Sequence, residues 1–514
     1  MKAFLLHPDR DVDSDAALPP NEHALIQDLG LDALFAAMAS GDGFLLDAAR
    51  HLILSSVEDP AVILYRQRVL TDLLENPDVA RRMYDVTVQA IEGGRKIWRG
   101  SLFSGYPDAT LQNSVEAMNL LVDVLRELRQ LAEQHRTQCG SAGLSAFFER
   151  LVTELGEDYL QVVQDHLREL RFTRGVLLGA SLGNGNKGMG YVLRRGHRRP
   201  SWRERLTRGE RSSYTMSIAD RDESGAKAVA ELRERAINLA ANALAQSVDS
   251  VVAFLTTLRW ELGSYLACIN LRERLEQKGG PVCFPVPAGP GGSSLTARGL
   301  YDISLSVQVD SRLVGNDVTA DGTSLIMVTG ANQGGKSTFL RSVGLARLMM
   351  QCGMFVAAES FSASTSARLF THYRREEDAT MTSGKLDEEL ARMRDIVDQI
   401  VPGSVALFNE SFAATNEREG SEIARQIIRG LLESGVGIVF VTHLFDLAHS
   451  LYTEHHPGSL FLRADRRDDG HRTFRLVEGE PLPTSYGPDL YDRIFGPSGG
   501  ATPTLTPGVA PAST

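Results

Sequence analysis

Two patterns of hydrophobic and polar positions alternate along the first half of the chain. From about residue 21 to 170, and again from 226 to 276, apolar residues recur at helical spacing with few breaks. The stretch between them is rich in loop-forming residues and holds one short strand candidate, Tyr191–Leu193. These patterns predict two long helical arms that pack side by side and carry a small insert at their tip.

After Lys278 the chain changes to short apolar runs separated by helical stretches. Such alternation predicts a mostly parallel sheet in an α/β domain. The strand candidates are Leu325–Val328, Val405–Phe408 and Gly437–Val441, and the helical stretches are Ser337–Cys352, Leu386–Ile400 and Ser421–Leu432. The last residues are rich in Pro, Gly, Thr and Ala, and we expect them to be disordered.

Composition narrows the class of protein. With 514 residues and a net charge of −11, the chain is long enough for several domains, and any nucleic-acid contact must be local. Its four cysteines form no C-x-x-C pair, which fits a reducing cytoplasm and indicates neither a zinc site nor a disulfide framework. The apolar stretch at the N-terminus is too short for a signal peptide and no apolar run approaches the length of a membrane span, so we expect no membrane association.

The strongest motif is a glycine-rich loop between a predicted strand and a predicted helix. Gly330 to Ser337 fits the phosphate-loop pattern G-x-x-x-x-G-K-[ST]. Backbone N–H groups of such a loop, together with the start of the helix, bind phosphate oxygens. Lys336 would reach the β- and γ-phosphates, and Ser337 would bind Mg²⁺. The predicted nucleotide-binding residues are Gly330, Asn332, Gly334, Gly335, Lys336, Ser337 and Thr338.

Two later strands end in polar residues suited to ATP hydrolysis. Val405 to Phe408 leads into Asn409 and Glu410, and Glu410 would orient or deprotonate the attacking water. Asn409 stands where an aspartate usually assists Mg²⁺, and its amide oxygen can bind the metal without contributing charge. The next strand ends at His443, which would orient the water or sense the γ-phosphate, unless it is only a structural hydrogen-bonding group.

Residues 313 to 487 resemble the ATPase domain of the MutS family of DNA mismatch-repair proteins, which are ABC-type ATPases. Separate motifs carry this resemblance in the family's order: Val314–Val318 for V-P-N-D-[IV], Thr329–Thr338 for T-G-P-N-M-G-G-K-S-T, Gln351–Ala358 for Q-x-G-x-[FY]-V-P-A, Thr442–Leu447 for T-H-[YF]-x-E-L, and Thr484–Gly487 for S-Y-G. Ala331 and Gln333 depart from the loop pattern, and Ser411–Glu417 departs from the family's G-R-G-T-S-T turn.

The resemblance implies further features of the nucleotide site. Ser383 matches a serine that reaches the γ-phosphate of the other subunit, although it also fits a helix N-cap. Leu313 and Val314 match positions that flank the adenine, the alternative being ordinary core packing. The family's cofactors are ATP and Mg²⁺, and its ATPase domains form dimers. We therefore expect a homodimer.

The resemblance extends more loosely to the first half, where Tyr65–Leu70 resembles the family's R-Q-x-x-V element. It implies a short form without the mismatch-reading and connector domains, with a fold of class α plus α/β. The expected divisions are a helical core at 1–110, a first lever arm at 111–172, a clamp-like basic insert at 173–222, a second lever arm at 223–278, a linker at 279–297, an ABC-type P-loop ATPase domain at 298–496 and a disordered tail at 497–514.

An arginine cluster falls in the predicted insert. Its members are Arg194, Arg195, Arg198, Arg199, Arg203, Arg205, Arg208 and Arg211. Only Glu204 and Glu210 oppose them, so the cluster suits contacts with a nucleic-acid backbone, or alternatively with an acidic protein surface.

The sequence thus favours a MutS-like ATPase that binds structured or branched DNA in repair or recombination rather than reading mismatches. The alternative is an ATP-dependent switch or scaffold that binds proteins, with weak hydrolysis and no DNA. Asn409 and the acidic composition favour this second function.

Overall fold

The computed structural model describes residues 1–99, 107–173, 175–186, 188–195, 217–219, 221–375, 384–467 and 472–483. The chain forms two compact units. The first comprises Met1–Ala17, Met38–His51 and Tyr65–Asn270, and the second comprises Leu18–Ala37, Leu52–Leu64 and Leu271–Thr514. The predicted tail at 497–514 lies outside the described residues.

Helices dominate the first half of the chain, as predicted. They are α1 (Glu22–Leu29), α2 (Leu31–Ala39), α3 (Gly43–Leu54), α4 (Pro60–Glu75), α5 (Pro77–Arg99), α6 (Pro107–His135), α7 (Ala142–Glu154), α8 (Glu157–Leu170) and α9 (Glu223–Lys278). Between α8 and α9 an antiparallel hairpin joins β1 (Leu177–Leu182) to β2 (Gly188–Arg194), which confirms the strand predicted at Tyr191–Leu193. The stretch predicted as a first arm contains three successive helices, α6, α7 and α8.

Helix α9 runs unbroken for 56 residues and confirms the second long helical stretch. By length and composition alone it is also apolar enough to cross a membrane, since one 18-residue window has a mean hydropathy of 1.3 and is 22% buried. Our expectation that no apolar run is long enough to span a membrane was therefore wrong. The high mean hydropathy of this window comes from its many alanines, valines and leucines and its few charges, and helices of soluble proteins can have the same composition.

The second unit contains two sheets and the helices around them. In chain order the elements are β3 (Val286–Ala288), β4 (Leu295–Leu300), α10 (Ile303–Ser306), β5 (Asn316–Thr319), β6 (Leu325–Gly330), α11 (Lys336–Gln351), β7 (Ser360–Ser364), β8 (Leu369–Tyr373), α12 (Lys385–Val397), β9 (Val405–Asn409), α13 (Glu417–Glu433), β10 (Gly437–Val441), α14 (Phe445–Thr453), β11 (Ser459–Arg466) and β12 (Arg472–Glu478). The alternation of strands and helices predicted for this half is confirmed.

A six-stranded sheet of order β12-β11-β6-β10-β9-β8 forms the centre of this unit. Its neighbours pair in parallel except for β11 and β12, which are antiparallel. The middle strands are almost wholly buried, and Phe408 stacks on Phe440 with ring centroids 5.0 Å apart. Because parallel strands end at one edge, the residues that follow β6, β9 and β10 meet there.

The second sheet has four strands in the order β3-β7-β4-β5. Its edge strand β3 lies inside the segment that we predicted as a linker, so part of that segment belongs to a sheet. Pro287 cannot donate a ladder hydrogen bond, and an edge strand accommodates this because one of its sides is unpaired.

Candidate functional site

The glycine-rich loop joins the end of β6 to the start of α11, as the motif requires. Gly330 and Gly335 have φ of 104° and 91°, in the left-handed region that favours glycine. A Cβ on Gly334 would lie 2.6 Å from the Ala464 Cβ and 2.8 Å from the Ala331 carbonyl oxygen, so a side chain does not fit there. The exposed Asn332 lies on the turn and Thr338 in the first helical turn. The positive end of α11 therefore faces the loop and favours an anion.

Lys336 lies inside this loop and is 5% exposed. Its Nζ donates hydrogen bonds to the carbonyl oxygens of Gly330 and Ala331, at 2.9 and 3.3 Å, and lies 4.0 Å from Oε1 of Glu410. Burial lowers the pKa of Lys336, while the nearby Glu410 carboxylate opposes that shift. The carboxylate thus helps to keep a cation at the position where the motif needs one.

Ser337 and Asn409, the two predicted metal ligands, are brought together. The Ser337 hydroxyl donates to Oδ1 of Asn409 at 2.9 Å, so two neutral oxygen atoms meet at the edge of the sheet. Mg²⁺ prefers oxygen ligands and usually keeps several waters beside one or two protein groups and phosphate oxygens. The pair fits that pattern. Among the described residues no group of three or more His, Cys, Asp or Glu forms an alternative metal site.

Glu410 and His443 form an ion pair beside Lys336. Oε2 of Glu410 accepts a 3.2 Å hydrogen bond from the His443 backbone N–H and also contacts Nδ1 of the imidazole. The side-chain hydrogen bond between the imidazole and the Glu410 carboxylate raises the pKa of His443 above its ordinary value of 6.5. The imidazolium therefore persists to higher pH than usual, and the ion pair weakens as pH rises through the raised pKa.

The turn after β9 is strained. Glu410 and Phe412 have φ of 54° and 63°, a region that costs residues with side chains about 1–3 kcal/mol each unless the surroundings enforce it. The Glu410 backbone N–H donates to the Val441 carbonyl oxygen at 2.9 Å, which ties the turn to the end of β10. The Glu410 carboxylate is thus positioned by backbone hydrogen bonding as well as by the contacts of its own side chain.

Leu313 and Val314 lie immediately before β5, and Val314 is 39% exposed. Asn316 ties this segment to β12, because its side chain donates to the Phe474 carbonyl oxygen at 3.2 Å and accepts from the Leu476 N–H at 2.7 Å. Phe474 in turn lies against Gly335 of the loop. The predicted adenine-flanking segment is therefore connected to the phosphate loop through β12.

Sequence analysis missed two residues of β12 that lie near the loop. Phe474 is 48% exposed with φ of 59°, so an aromatic face is available to solvent beside the phosphate loop. Arg472 is close enough for its charge to lower the pKa of Lys336. The only sequence signal for either was its place in an apolar and basic hairpin strand, which is too common a pattern to identify a site.

Several predicted residues lie outside the described part of the chain. They are Ser383, the arginines Arg198, Arg199, Arg203, Arg205, Arg208 and Arg211, and the segment Thr484–Gly487. Arg194 ends β2, and Arg195 forms an exposed 2.6 Å ion pair with Glu169. An exposed pair of this kind contributes little to stability and leaves Arg195 free to exchange partners.

Two family models match this chain. The MutS2 N-terminal domain model matches residues 58–278, and the MutS domain V model matches residues 326–498. The first covers much of the helical half, and the second covers the phosphate loop, Asn409, Glu410 and His443.

Individual relatives share shorter stretches. MutS protein homolog 4 of Mus musculus is 28% identical over 152 residues, which are 30% of this chain and 16% of that protein. Endonuclease MutS2 of Thermus thermophilus is 32% identical over 123 residues, or 24% of this chain and 16% of that protein. DNA mismatch repair protein MutS of Chloroflexus aurantiacus is 31% identical over 139 residues, or 26% and 14%. The matched part thus spans about one sixth of these relatives or less. With its helical half and its nucleotide site each matched by a MutS model, the chain belongs to the MutS family.

Proposed function

We propose that this protein binds ATP and hydrolyses it to ADP and phosphate. The observation that carries the proposal is the position of Glu410, whose carboxylate lies between Lys336 and His443 at the edge where the phosphate loop opens. Lys336 would neutralise the β- and γ-phosphates, Glu410 would orient and deprotonate the attacking water, and His443 would take part in its orientation.

The remaining site residues have supporting roles in this proposal. Ser337 and Asn409 would hold Mg²⁺, which neutralises phosphate charge when bound. Leu313 and Val314 would flank the adenine, and the exposed ring of Phe474 offers a further face for stacking. Ser383 of the partner subunit would approach the γ-phosphate in a homodimer formed through the ATPase domains.

We further propose that the protein binds DNA, with a preference for structured or branched forms, in repair or recombination. The arginine-rich sequence from residue 194 to 211 supports this, because it contains eight arginines and only two glutamates. Contacts of that kind bind phosphates without reading sequence. Two relatives, one named an endonuclease and one named a DNA mismatch repair protein, also support a role on DNA.

Two measurements test these proposals together. The purified protein should release phosphate from ATP in the presence of Mg²⁺, and binding to duplex, junction, mismatch and single-stranded DNA should be compared at several salt concentrations. Changing Arg198, Arg199, Arg203 and Arg205 to Ala should reduce the slope of log K against log salt by about 3 to 4 units, with basal hydrolysis unchanged. Unaltered DNA affinity in a folded quadruple variant would place the DNA site elsewhere.

A second candidate function is an ATP-dependent protein scaffold with slow hydrolysis and no DNA. It is favoured by Asn409, whose neutral amide replaces a charged metal ligand and hydrogen-bonds to Ser337. The salt-dependence measurement separates the two functions, since a scaffold would show no steep dependence of DNA binding on salt. We place either activity in the cytoplasm, where cysteines such as the buried Cys268 and Cys352 stay reduced as the free thiols seen here.

A further inference from the structure

The strained turn that carries Glu410 needs an explanation for how it is held. Glu410 and Phe412 both occupy the left-handed region, although neither is glycine. Conformations of this kind persist only where surrounding groups enforce them. The bond from Glu410 to the end of β10 fixes one side of the turn, so the other side requires its own support.

That support comes from helix α12. The Glu389 carboxylate is 4% exposed, and its Oε2 accepts a 2.9 Å hydrogen bond from the backbone N–H of Phe412. The donor belongs to a fully buried residue, so removing this acceptor would leave a buried N–H unsatisfied, which is costly. The bond acts directly on a residue in the strained conformation, two positions after Glu410.

A buried histidine completes the connection. Nε2 of His372 lies 3.0 Å from the Glu389 carbonyl oxygen, and its ring stacks on Phe412 with centroids 5.2 Å apart. Since a carbonyl can only accept, Nε2 carries the proton. Burial lowers the pKa of His372 to about 4, so the ring is neutral and Nδ1 is a bare acceptor. The Ser411 hydroxyl donates to the His372 carbonyl oxygen at 2.6 Å, and its oxygen lies 2.8 Å from that Nδ1.

We infer that Glu389 is a positioning residue for Glu410, with His372 of β8 bracing the same turn through its contacts with Ser411 and Phe412. The inference rests on the proposed ATP hydrolysis. Glu389 lies away from the phosphate loop and acts through the backbone of the turn, whereas Glu410 acts on water. Losing the Phe412 bond would leave a buried N–H without its acceptor and would let the turn relax, which moves the Glu410 carboxylate away from its place beside Lys336.

The decisive experiment compares Glu389→Ala with Glu389→Gln. The alanine variant should lose about 100-fold in kcat, because a displacement of about 1 Å of a reacting group costs that much. Its KM for ATP and its affinity for a fluorescent ATP analogue should stay within about twofold of wild type, since the phosphate loop is untouched. The glutamine variant should recover most of the rate, because its amide oxygen can accept the same N–H.

Asp395→Ala is the matched control, because this exposed carboxylate lies on the same helix without contacting the turn. It should hydrolyse ATP at the wild-type rate. A folded Glu389→Ala protein with wild-type kcat would overturn the inference, and so would a glutamine variant as slow as the alanine variant. If Glu389→Ala does not fold, Ser411→Ala tests the bracing of the turn instead. We expect this variant to lose about tenfold in kcat, and an unchanged rate would count against the inference.

Failure of the underlying function would look different. If Lys336→Ala and Glu410→Gln hydrolyse ATP as wild type does, the proposed nucleotide chemistry itself is wrong. If both are inactive while the folded Glu389→Ala variant is fully active, only the positioning role is wrong.

Discussion

The phosphate loop and the turn after β9 lie on either side of β10. Both contain residues in the left-handed backbone conformation, but the residue types at those positions differ. The loop adopts two of its three left-handed positions with glycines, Gly330 and Gly335, and the third with Gln333. The turn adopts them with Glu410 and Phe412, whose side chains strain the backbone. The loop must leave space for phosphate, so glycine is the solution there. The turn must present a carboxylate, so it keeps a side chain at the strained position.

This difference indicates where each half of the site is vulnerable. The loop depends on glycines within a short sequence motif, and its proposed role is to bind phosphate. The turn contacts distant side chains, among them Glu389 and His372, and its proposed role is in hydrolysis. Substitutions on the two sides should therefore produce different kinetic signatures.

On the loop side, Lys336→Ala should have the largest effect. Removing the ammonium group deletes the charge that meets the β- and γ-phosphates, so both ATP binding and hydrolysis should fall at least about 100-fold. Titration with a fluorescent ATP analogue and a phosphate-release assay measure the two effects. Normal turnover by this variant would refute the assignment of the nucleotide site.

On the turn side, Glu410→Gln should separate chemistry from binding. The amide keeps the size of the side chain and loses the base, so hydrolysis should fall about 100-fold or more while ATP stays bound. A closed dimer should accumulate with ATP and be visible as a larger species by size-exclusion chromatography. Wild-type turnover would show that another group activates the water.

The buried His372 makes the turn sensitive to acid in a way that the loop is not. Burial, and next the Arg392 charge, lower its pKa from 6.5 to about 4. An unfolded chain therefore takes up this proton before the folded one, and stability is lost as pH falls below 6.5. Between about pH 7 and about pH 5 the wild type should lose about 2 kcal/mol more of its unfolding free energy than His372→Gln.

Urea unfolding at the two pH values measures this difference. His7, whose pKa is also lowered to about 4, is present in both proteins and cancels in the comparison. If the unfolding free energies of the wild type and the variant changed equally between the two pH values, His372 would not stay neutral in the folded state.

The smallest expected effect concerns the point where the two sides meet, Asn409. Restoring aspartate adds a negative charge next to Ser337 and should lower the Mg²⁺ concentration for half-maximal hydrolysis severalfold. Measuring rate against Mg²⁺ concentration tests this. An unchanged or higher requirement would mean that the site is adapted to the amide.

The sequence was sufficient to predict the loop, the three central strands and the meeting of Ser337 with Asn409, because each follows from local patterns and the rule that parallel strands end together. It could not predict the support of the turn. Glu389 lies 23 residues from Phe412 and looks like any glutamate of a helix surface. Likewise, Asn21 occupies the N-cap position of α1, yet its side chain makes no cap hydrogen bond and donates instead to the Leu369 carbonyl oxygen, a contact between distant parts of the chain.

The order of the central strands limits how this site can evolve. One strand, β10, separates β6 from β9, so the phosphate loop and the carboxylate are spaced by two strand widths, or about 9.6 Å. No point substitution changes that spacing, because it is set by backbone pairing along the whole sheet. Point substitutions therefore act on the reach and charge of the side chains at the edge, as Asn409→Asp would.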